Sequence, residues 1–351
     1  MKKKSFWILL GLVSVFSIWT LTPNAFAQKT ITWKVQSFVP AGTIYHEWAL
    51  DWAKKITKSS GGRLKVTMHS AGEIVPPFEA FDAVKNGVLD AAYGYSAQWM
   101  GRMEEAPFFT AVPGGFGVLD NIMWMYKGGG LELWQELYDK HNIKVLPPGI
   151  ISMEIFMWTN KPVNKIEDFK GLKLRAMPFW GDILKEKGYS VVFLPAGEII
   201  PAMQRGVLDA AEYSIPAFDI TLGFPDVAKY YVYPGLHQPS SMLEVIMNKN
   251  SYDKLPDDLK ELVANICKAG LIETYTWGEA ANVKALEKFE KMGKIRIVLG
   301  QEVQATMLKW CDEYLDKRAA KNPFFAKILK SQRDFKQWWL PYKKFTTLEQ
   351  K

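Results

Sequence analysis

Gly-Val-Leu-Asp-Ala-Ala stands at Gly87–Ala92 and again at Gly206–Ala211. Upstream of each copy lies Ala-Gly-Glu-Ile, at Ala71–Ile74 and Ala196–Ile199. Two motifs repeated in one order indicate a duplicated unit rather than chance. Around the first copy, Thr30–Gln36 alternates like a strand and Tyr45–Lys58 has helical periodicity. Leu64–Met68 reads as a strand and Phe78–Lys85 as a short helix. Around the second, Gly171–Arg175 and Val191–Leu194 read as strands, and Gly181–Lys187 and Ile199–Arg205 as helices. Each unit is therefore β-α-β-α-β, which calls for a mostly parallel sheet flanked by helices. The expected fold class is α/β, with two such lobes facing across a cleft. The repeated Gly ends the preceding helix, and Asp90 and Asp209 read as structural residues that bond loop amides.

Ligands of open α/β sheets bind beyond the carboxyl ends of the strands. The tails of the repeated strand, Tyr93-Gly-Tyr95-Ser-Ala-Gln98-Trp99 and Glu212-Tyr213-Ser214, should therefore emerge at the cleft. Further along, Pro256–Glu273 and Tyr275–Met292 read as two helices, and Ile295–Leu299 as a strand. Glu302–Ala319 and Pro323 to about Trp339 read as C-terminal helices. Trp310, Phe324, Phe325, Trp338 and Trp339 crowd that last stretch. Such aromatics need a cover, either the chain's own lobe or a second copy in a homodimer.

The start of the chain is of another kind. Lys2, Lys3 and Lys4 precede an apolar run from Phe6 to about Leu21, closed by Pro23, Asn24 and Ala25-Phe26-Ala27. This is the pattern of a secretory signal peptide cut after Ala27, and it implies a periplasmic location. The signal carries three Lys and no acid, so the mature net charge is 7 − 3 = +4. Acidic and basic residues are interspersed, which gives no case for nucleic acid. The expected division is 1–27 signal, 28–150 mainly lobe I, 151–245 mainly lobe II, and 246–351 completing both. Export would permit a disulfide between Cys267 and Cys311, while two buried thiols are the other reading.

The common catalytic patterns are missing. His46-Glu47 has no second His at helical spacing, so no zincin site forms. Gly94-Tyr-Ser96-Ala-Gln98 lacks the final Gly of a nucleophile elbow. Gly128-Gly-Gly130 is not followed by Lys and Ser or Thr; it reads as a link between two helices. An exported enzyme using scattered carboxylates in the cleft is the alternative from another class.

Binding residues are easier to find. Arg175 ends a strand at the cleft, where a guanidinium suits capture of a carboxylate; pairing with a nearby acid is the plainer reading. Glu154, Glu212 and Glu244 each interrupt an apolar stretch. Glu is seldom buried unpaired, so together they suit a hard cation with oxygen ligands. Singly, each is more often a salt-bridged core residue. Tyr93, Tyr95, Trp99, Trp158, Phe179, Trp180 and Tyr213 crowd the expected rim and suit an apolar pocket wall, though each alone is more often core.

These residues carry a resemblance. The chain resembles the periplasmic solute-binding proteins of tripartite ATP-independent periplasmic (TRAP) transporters, in particular the branch that binds 2-oxoacids and lactate with a metal ion. The likeness rests on Gly171-Leu-Lys-Leu-Arg175 with Met177-Pro178, Leu194-Pro-Ala-Gly-Glu198, Arg205-Gly-Val-Leu-Asp-Ala-Ala-Glu212, Gly128-Gly-Gly-Leu-Glu-Leu-Trp134 and the run Gly223 to His237. It implies the periplasmic-binding-protein fold and a small organic acid whose carboxylate pairs with Arg175. It implies a sodium or calcium ion held by Glu212 and the Tyr213 backbone, with Glu244 at or near the site, and delivery to TRAP permease subunits in the membrane. Departures are Tyr213 where the branch has Trp, Glu154 where it has Gln, and Phe179-Trp180 where it has Gly. The metal set then includes Glu154, and the pocket suits either a very small acid or a stacked aromatic one.

Overall fold

A computed structural model describes residues 30–346. The proposed signal peptide lies outside the described residues.

The first sheet has the order Leu64–His69, Ile31–Ser37, Ala91–Gly94, Glu244–Asn248, Ile143–Leu146. Its first three strands are parallel, and Glu244–Asn248 is antiparallel to both neighbours. The second has the order Ile295–Val298, Tyr230–Tyr233, Met157–Thr159, Ala210–Ala211, Lys173–Arg175, Ser190–Val192. Its last three strands are parallel, and Met157–Thr159 runs antiparallel beside them. The duplicated units thus build the same four-strand arrangement twice.

The repeated Asp shows how deep the likeness goes. Asp90 accepts from the Lys34 backbone N–H at 2.8 Å, and its own N–H donates to the Lys34 carbonyl at 2.9 Å. Asp209 does the same with Lys173, at 2.9 and 2.9 Å. Gly87 and Gly206 take φ of +76° and +69°. Each lies one residue past a helix C-cap (Asn86 and Arg205), in the left-handed conformation that side chains resist.

One expectation needs correction. The two helices expected over 256–292 are one, Asp257–Lys291. At 35 residues it is about 52 Å long. No Pro or left-handed Gly interrupts it. Gly270 sits mid-helix because a Cβ there would overlap the Pro148 carbonyl. The helix gives Val263 and Cys267 to the first lobe's core and Ala285 and Phe289 to the second's. The apolar stretch Ile150–Trp158 that Glu154 interrupts is divided between two strands. Ile150–Ile151 pairs with Ser241–Met242, and Met157–Thr159 joins the second sheet. Glu154 lies between them, where the chain crosses from one lobe to the other.

The C-terminal helices, Gln301–Ala319 and Pro323–Thr346, fold back on their own chain. Phe325 packs edge-on against Phe108, Trp124 donates to Ser331, and Trp339 donates to Asp120. Trp338, Tyr342 and Phe345 stay exposed. Cys267 and Cys311 are buried free thiols, not a disulfide. Gly128–Gly130 does link two helices, Val118–Lys127 and Gly130–Asp139. Among the described residues no helix is long and apolar enough to cross a membrane.

Candidate functional site

Parallel pairing of Lys173–Arg175 with Ala210–Ala211 brings Arg175 and Glu212 out of the second sheet side by side. Arg175 Nη1 donates to the Glu212 carbonyl at 2.8 Å and to its Oε1 at 3.1 Å. Nε and Nη2 each donate to the Leu194 carbonyl at 3.2 Å. The remaining direction of Nη2 meets only the Met177 thioether, at 3.6 Å. Phe193 and Tyr213 cover the guanidinium on its two aromatic contacts, at 5.3 and 5.1 Å. Arg175 is therefore fixed by its own lobe, with one weakly used N–H. The plain ion-pair reading holds for most of its donors.

Glu212 Oε1 also accepts from the Met177 backbone N–H. Its Oε2 is buried without a hydrogen-bond partner. Burial pushes this carboxyl above its usual range, against the opposing pull of Arg175 and of the Met177 N–H.

The crossing segments supply the rest. Glu154 Oε1 accepts from Ser241 Oγ at 3.3 Å. With its amide nitrogen turned to the carboxylate, Gln238 donates to both Glu154 oxygens at 3.0 and 3.2 Å. Gly235 lets this turn press against Glu154, since a Cβ there would overlap the Glu154 carbonyl oxygen. Beside it stands His237, whose Nε2 is 3.7 Å from Glu154 Oε2 and 3.8 Å from Glu212 Oε2. Burial and the Arg175 charge push His237 down to about 3, so the ring is neutral. Glu154, Glu212 and His237 each offer a ligand atom within 4.8 Å of the others, and all three are buried.

The charges here do not balance. Glu154, Glu212 and Asp219 are buried together, with Arg175 as the cation that acts on all three. Three acids against one base leaves 3 − 1 = 2 negative charges uncompensated. Glu154 is pushed well above its usual range by burial and then by Glu212 and Asp219. Buried acids in this position either take up protons or hold a cation.

The group floors a narrow cavity between the lobes. Phe38, Phe78, Tyr95 and Gln98 line it from the first lobe, and Glu154, Arg175, Phe193 and Tyr213 from the second. About 30 Å³ is open to the centre of a water molecule, so a ligand of this shape has few atoms. Gln98 Oε1 is buried on it without a hydrogen-bond partner, and Tyr95 lies on it beside Tyr45. Phe78 and Phe193 meet across the mouth at 5.1 Å. Tyr45, on the helix Ile44–Ser59, hydrogen-bonds Ser214 and stacks on Phe218 at 4.3 Å. A larger cavity of about 420 Å³ lies outside the cleft, between this helix and the long one. The cleft is the better candidate because the unpartnered buried groups converge there.

The structure brings together Arg175, Glu212, Glu154, Tyr213 and Tyr95. It sends other expected residues elsewhere. Glu244 accepts from Ser96, Trp99 and Tyr138 at 2.7, 2.5 and 2.9 Å, so both its oxygens are used inside the first lobe. Trp99 is occupied by that bond. Tyr93 packs against Trp52 beneath the first helix. Phe179, at φ +70°, turns into the core against Phe108, Tyr314 and Phe325. Trp180 backs the site, beside Phe156 and His237, and Trp158 donates to Asp219 in the second lobe's core. The causes differ: Tyr93 is still within its strand, Trp99 and Glu244 bond each other, and Phe179 turns inward at its positive φ. His237, Gln238, Ser241 and Phe193 were not anticipated as site residues. The one available signal was a His and a Gln directly after the Pro234-Gly235 turn.

A family model described as DctP, bacterial extracellular solute-binding protein, family 7, matches residues 35–322. The chain is 29% identical over 317 residues to a monocarboxylate 2-oxoacid-binding periplasmic protein of Nostoc sp. strain PCC 7120, covering 90% of this chain and 85% of the relative. Among solved structures it is similar to a TRAP periplasmic solute-binding protein of Pseudoalteromonas atlantica T6c with bound sodium and pyruvate. There the TM-score is 0.86 and the identity 30%, over 91% of this chain and 97% of that one. A TRAP solute-binding protein dimer of Bordetella bronchiseptica RB50, with calcium and picolinate, gives a TM-score of 0.87 at 26% identity, over 91% and 95%. The chain belongs to the DctP family; it has that family's two-lobed fold and is a solute-binding protein rather than an enzyme.

Proposed function

We propose that this family member captures a small monocarboxylate of the 2-oxo or 2-hydroxy class between its lobes and delivers it to the membrane subunits of a TRAP transporter. The observation that carries this reading is the convergence of unpartnered, uncompensated acids on the floor of an interlobe cavity edged by Arg175. A cation fits there. Glu212 Oε2 is an orphaned buried carboxylate oxygen, and Glu154 faces it; with Asp219 ionised as well, the excess of two negative charges is what a divalent ion would cancel. Glu212, Glu154 and the Tyr213 carbonyl would hold the ion, which supplies a Lewis-acidic contact for the acid's carboxylate or its 2-oxygen. Arg175 orients that carboxylate through the N–H now resting on Met177. Tyr95 and Gln98 close over it, and Phe38, Phe78 and Phe193 exclude water. The relatives described with sodium and pyruvate and with calcium and picolinate support both the ligand class and a cation.

The test is thermal unfolding of residues 28–351, unfolded and refolded to strip carried-over ligand. Pyruvate, lactate and picolinate are added with sodium, with calcium or with a chelator. A ligand that binds only the folded state raises the midpoint. An upward shift that requires one cation is expected, and no shift with any acid overturns the reading.

The homodimer contact, in this reading, is the exposed end of the C-terminal helix with Trp338, Tyr342 and Phe345. Sedimentation velocity should show a dimer that Trp338→Glu with Tyr342→Glu converts to monomer. A wild-type monomer at all concentrations sinks that part.

A further inference from the structure

We propose that the cavity between the helices Ile44–Ser59 and Asp257–Lys291 is a second binding site, built for a small organic cation with an aromatic body. It shares no lining residue with the cleft cavity around Arg175, so it stands independently of the cleft reading.

The cavity has about 420 Å³, a size that small-molecule sites have. Gly270 lets the long helix rest on the Pro148 carbonyl, and both residues line the space. Tyr93 lines it too. That residue is 1% exposed, and among the described residues its hydroxyl has no hydrogen-bond partner. Buried hydroxyls are nearly always bonded, because lost hydration is otherwise uncompensated. The other hydroxyls on the wall are already used, Thr274 on Ile150 and Gly270 and Thr276 on Ile272. Tyr93 is therefore left for water or for the polar end of an occupant.

The aromatic lining is of the kind that attracts a cation. Trp277 meets Trp48 edge to face, with 5.6 Å between centroids and 85° between planes. Trp48 is held in place, with Tyr45 at 5.1 Å and the long helix against its ring at Gly278. Trp277 is 48% exposed and belongs to neither lobe's core. Two indoles at a right angle form the corner of an aromatic cage. Their negative faces draw an ammonium group.

Charge points the same way. Asp51 and Glu273, one from each helix, stand on the cavity with Lys55 bonded to both. Two acids against one base leaves 2 − 1 = 1 negative charge. Both carboxylates are half in solvent, so this charge is screened and sets the sign of the preference more than its size. The cleft selects an anion through Arg175, whereas this cavity disfavours one.

The experiment is calorimetric titration of residues 28–351 at low salt, with pyruvate and calcium in excess so that the cleft is filled. The probes are three molecules of one shape: 2-phenylethylammonium, 2-phenylethanol and 3-phenylpropionate. The ammonium should bind roughly 5–30-fold more tightly than the alcohol, and the propionate most weakly. Added salt should narrow the gap. Trp277→Ala should lower the affinity for the ammonium by a similar factor, and Glu273→Gln should bring ammonium and alcohol together. The pyruvate-dependent thermal shift should survive in both variants, which shows that they fold. No heat with any probe overturns the proposal. An alcohol or propionate that binds as tightly as the ammonium overturns the cation class on the wild type alone, even where a variant misfolds. Ammonium binding that is unchanged in folded Trp277→Ala places the probe elsewhere and overturns the site.

Discussion

Arg175 and Glu244 show how differently a buried charge is handled in each lobe. Arg175 spends four of its contacts on the Leu194 carbonyl and on Glu212. Arg175→Lys keeps the charge but not the fork that holds it. Carboxylate affinity should fall by about 2–3 kcal/mol, roughly 30–150-fold, by calorimetric titration with pyruvate. Unchanged affinity would remove Arg175 from the ligand. Arg175→Ala should instead destabilise the fold by about 3–5 kcal/mol, because it leaves Glu212 buried without its partner. Glu244 has no cation. Burial pushes it up to about 7, against three neutral donors. Its folded pKa exceeds the unfolded value of 4.5, so its stabilisation is full below pH 4.5 and is lost as pH rises through about 7. The loss is on the order of 3 kcal/mol. Urea midpoints should therefore fall between pH 5 and pH 8, and Glu244→Gln should flatten that slope. A slope unchanged in Glu244→Gln would place the titrating group elsewhere. Glu154 shifts the same way, so protons and the proposed cation compete, and ion affinity should rise with pH.

At the scale of elements, the repeated Asp and the Pro234-Gly235 turn do the positioning. Asp90 and Asp209 tie the last strand of each unit to the first by the same pair of bonds. Asp209→Ala should cost about 1 kcal/mol in chemical unfolding, and an effect near zero would make that tie ornamental. Gly235→Ala has a different signature. It forces the turn away from Glu154, so cation-dependent stabilisation should disappear even where the ion-free midpoint falls by only about 1–3 kcal/mol. Retention of the full ion-dependent shift would refute the coupling. This is also the scale at which the sequence is most and least legible. The duplicated strands, the helix-ending Gly residues and the structural role of the Asp follow from a local pattern repeated. The crossings at 152–156 and 234–240 have no period; beside local turns such as Gln238 to Gly235, they are placed by backbone bonds to partners over 50 residues away, as Glu154 to Gln238 and Ile155 to Ser214. His237 and Gln238 sit on such a crossing. Arg175 and Glu212 sit on strand ends, which is why they could be read and the other two could not.

At the scale of the molecule, the two lobes are held at the cleft by contacts that a ligand would have to strengthen. The long helix Asp257–Lys291 gives side chains to both cores, so it is one continuous element shared by the two lobes. Closure is then settled at the mouth, by Phe78 against Phe193 and by the hydroxyl of Tyr45 bonded to Ser214. Ser214 follows Glu212 and Tyr213 directly, so any shift of the ligand-holding loop reaches Tyr45 through one peptide. Tyr45→Phe preserves the stack on Phe218 and deletes the hydroxyl that bonds Ser214. If that bond favours the closed state by about 1 kcal/mol, its loss should weaken apparent affinity about fivefold through the smaller closed population. Small-angle scattering should show a larger radius of gyration for the ligand-free variant than for the ligand-free wild type. With saturating pyruvate and cation the two radii should coincide, because bound ligand restores closure by its own contacts. Weaker affinity with identical ligand-free radii would instead assign Tyr45 to the pocket wall. No change in either would mean that the lobes close through the ligand and its cation alone.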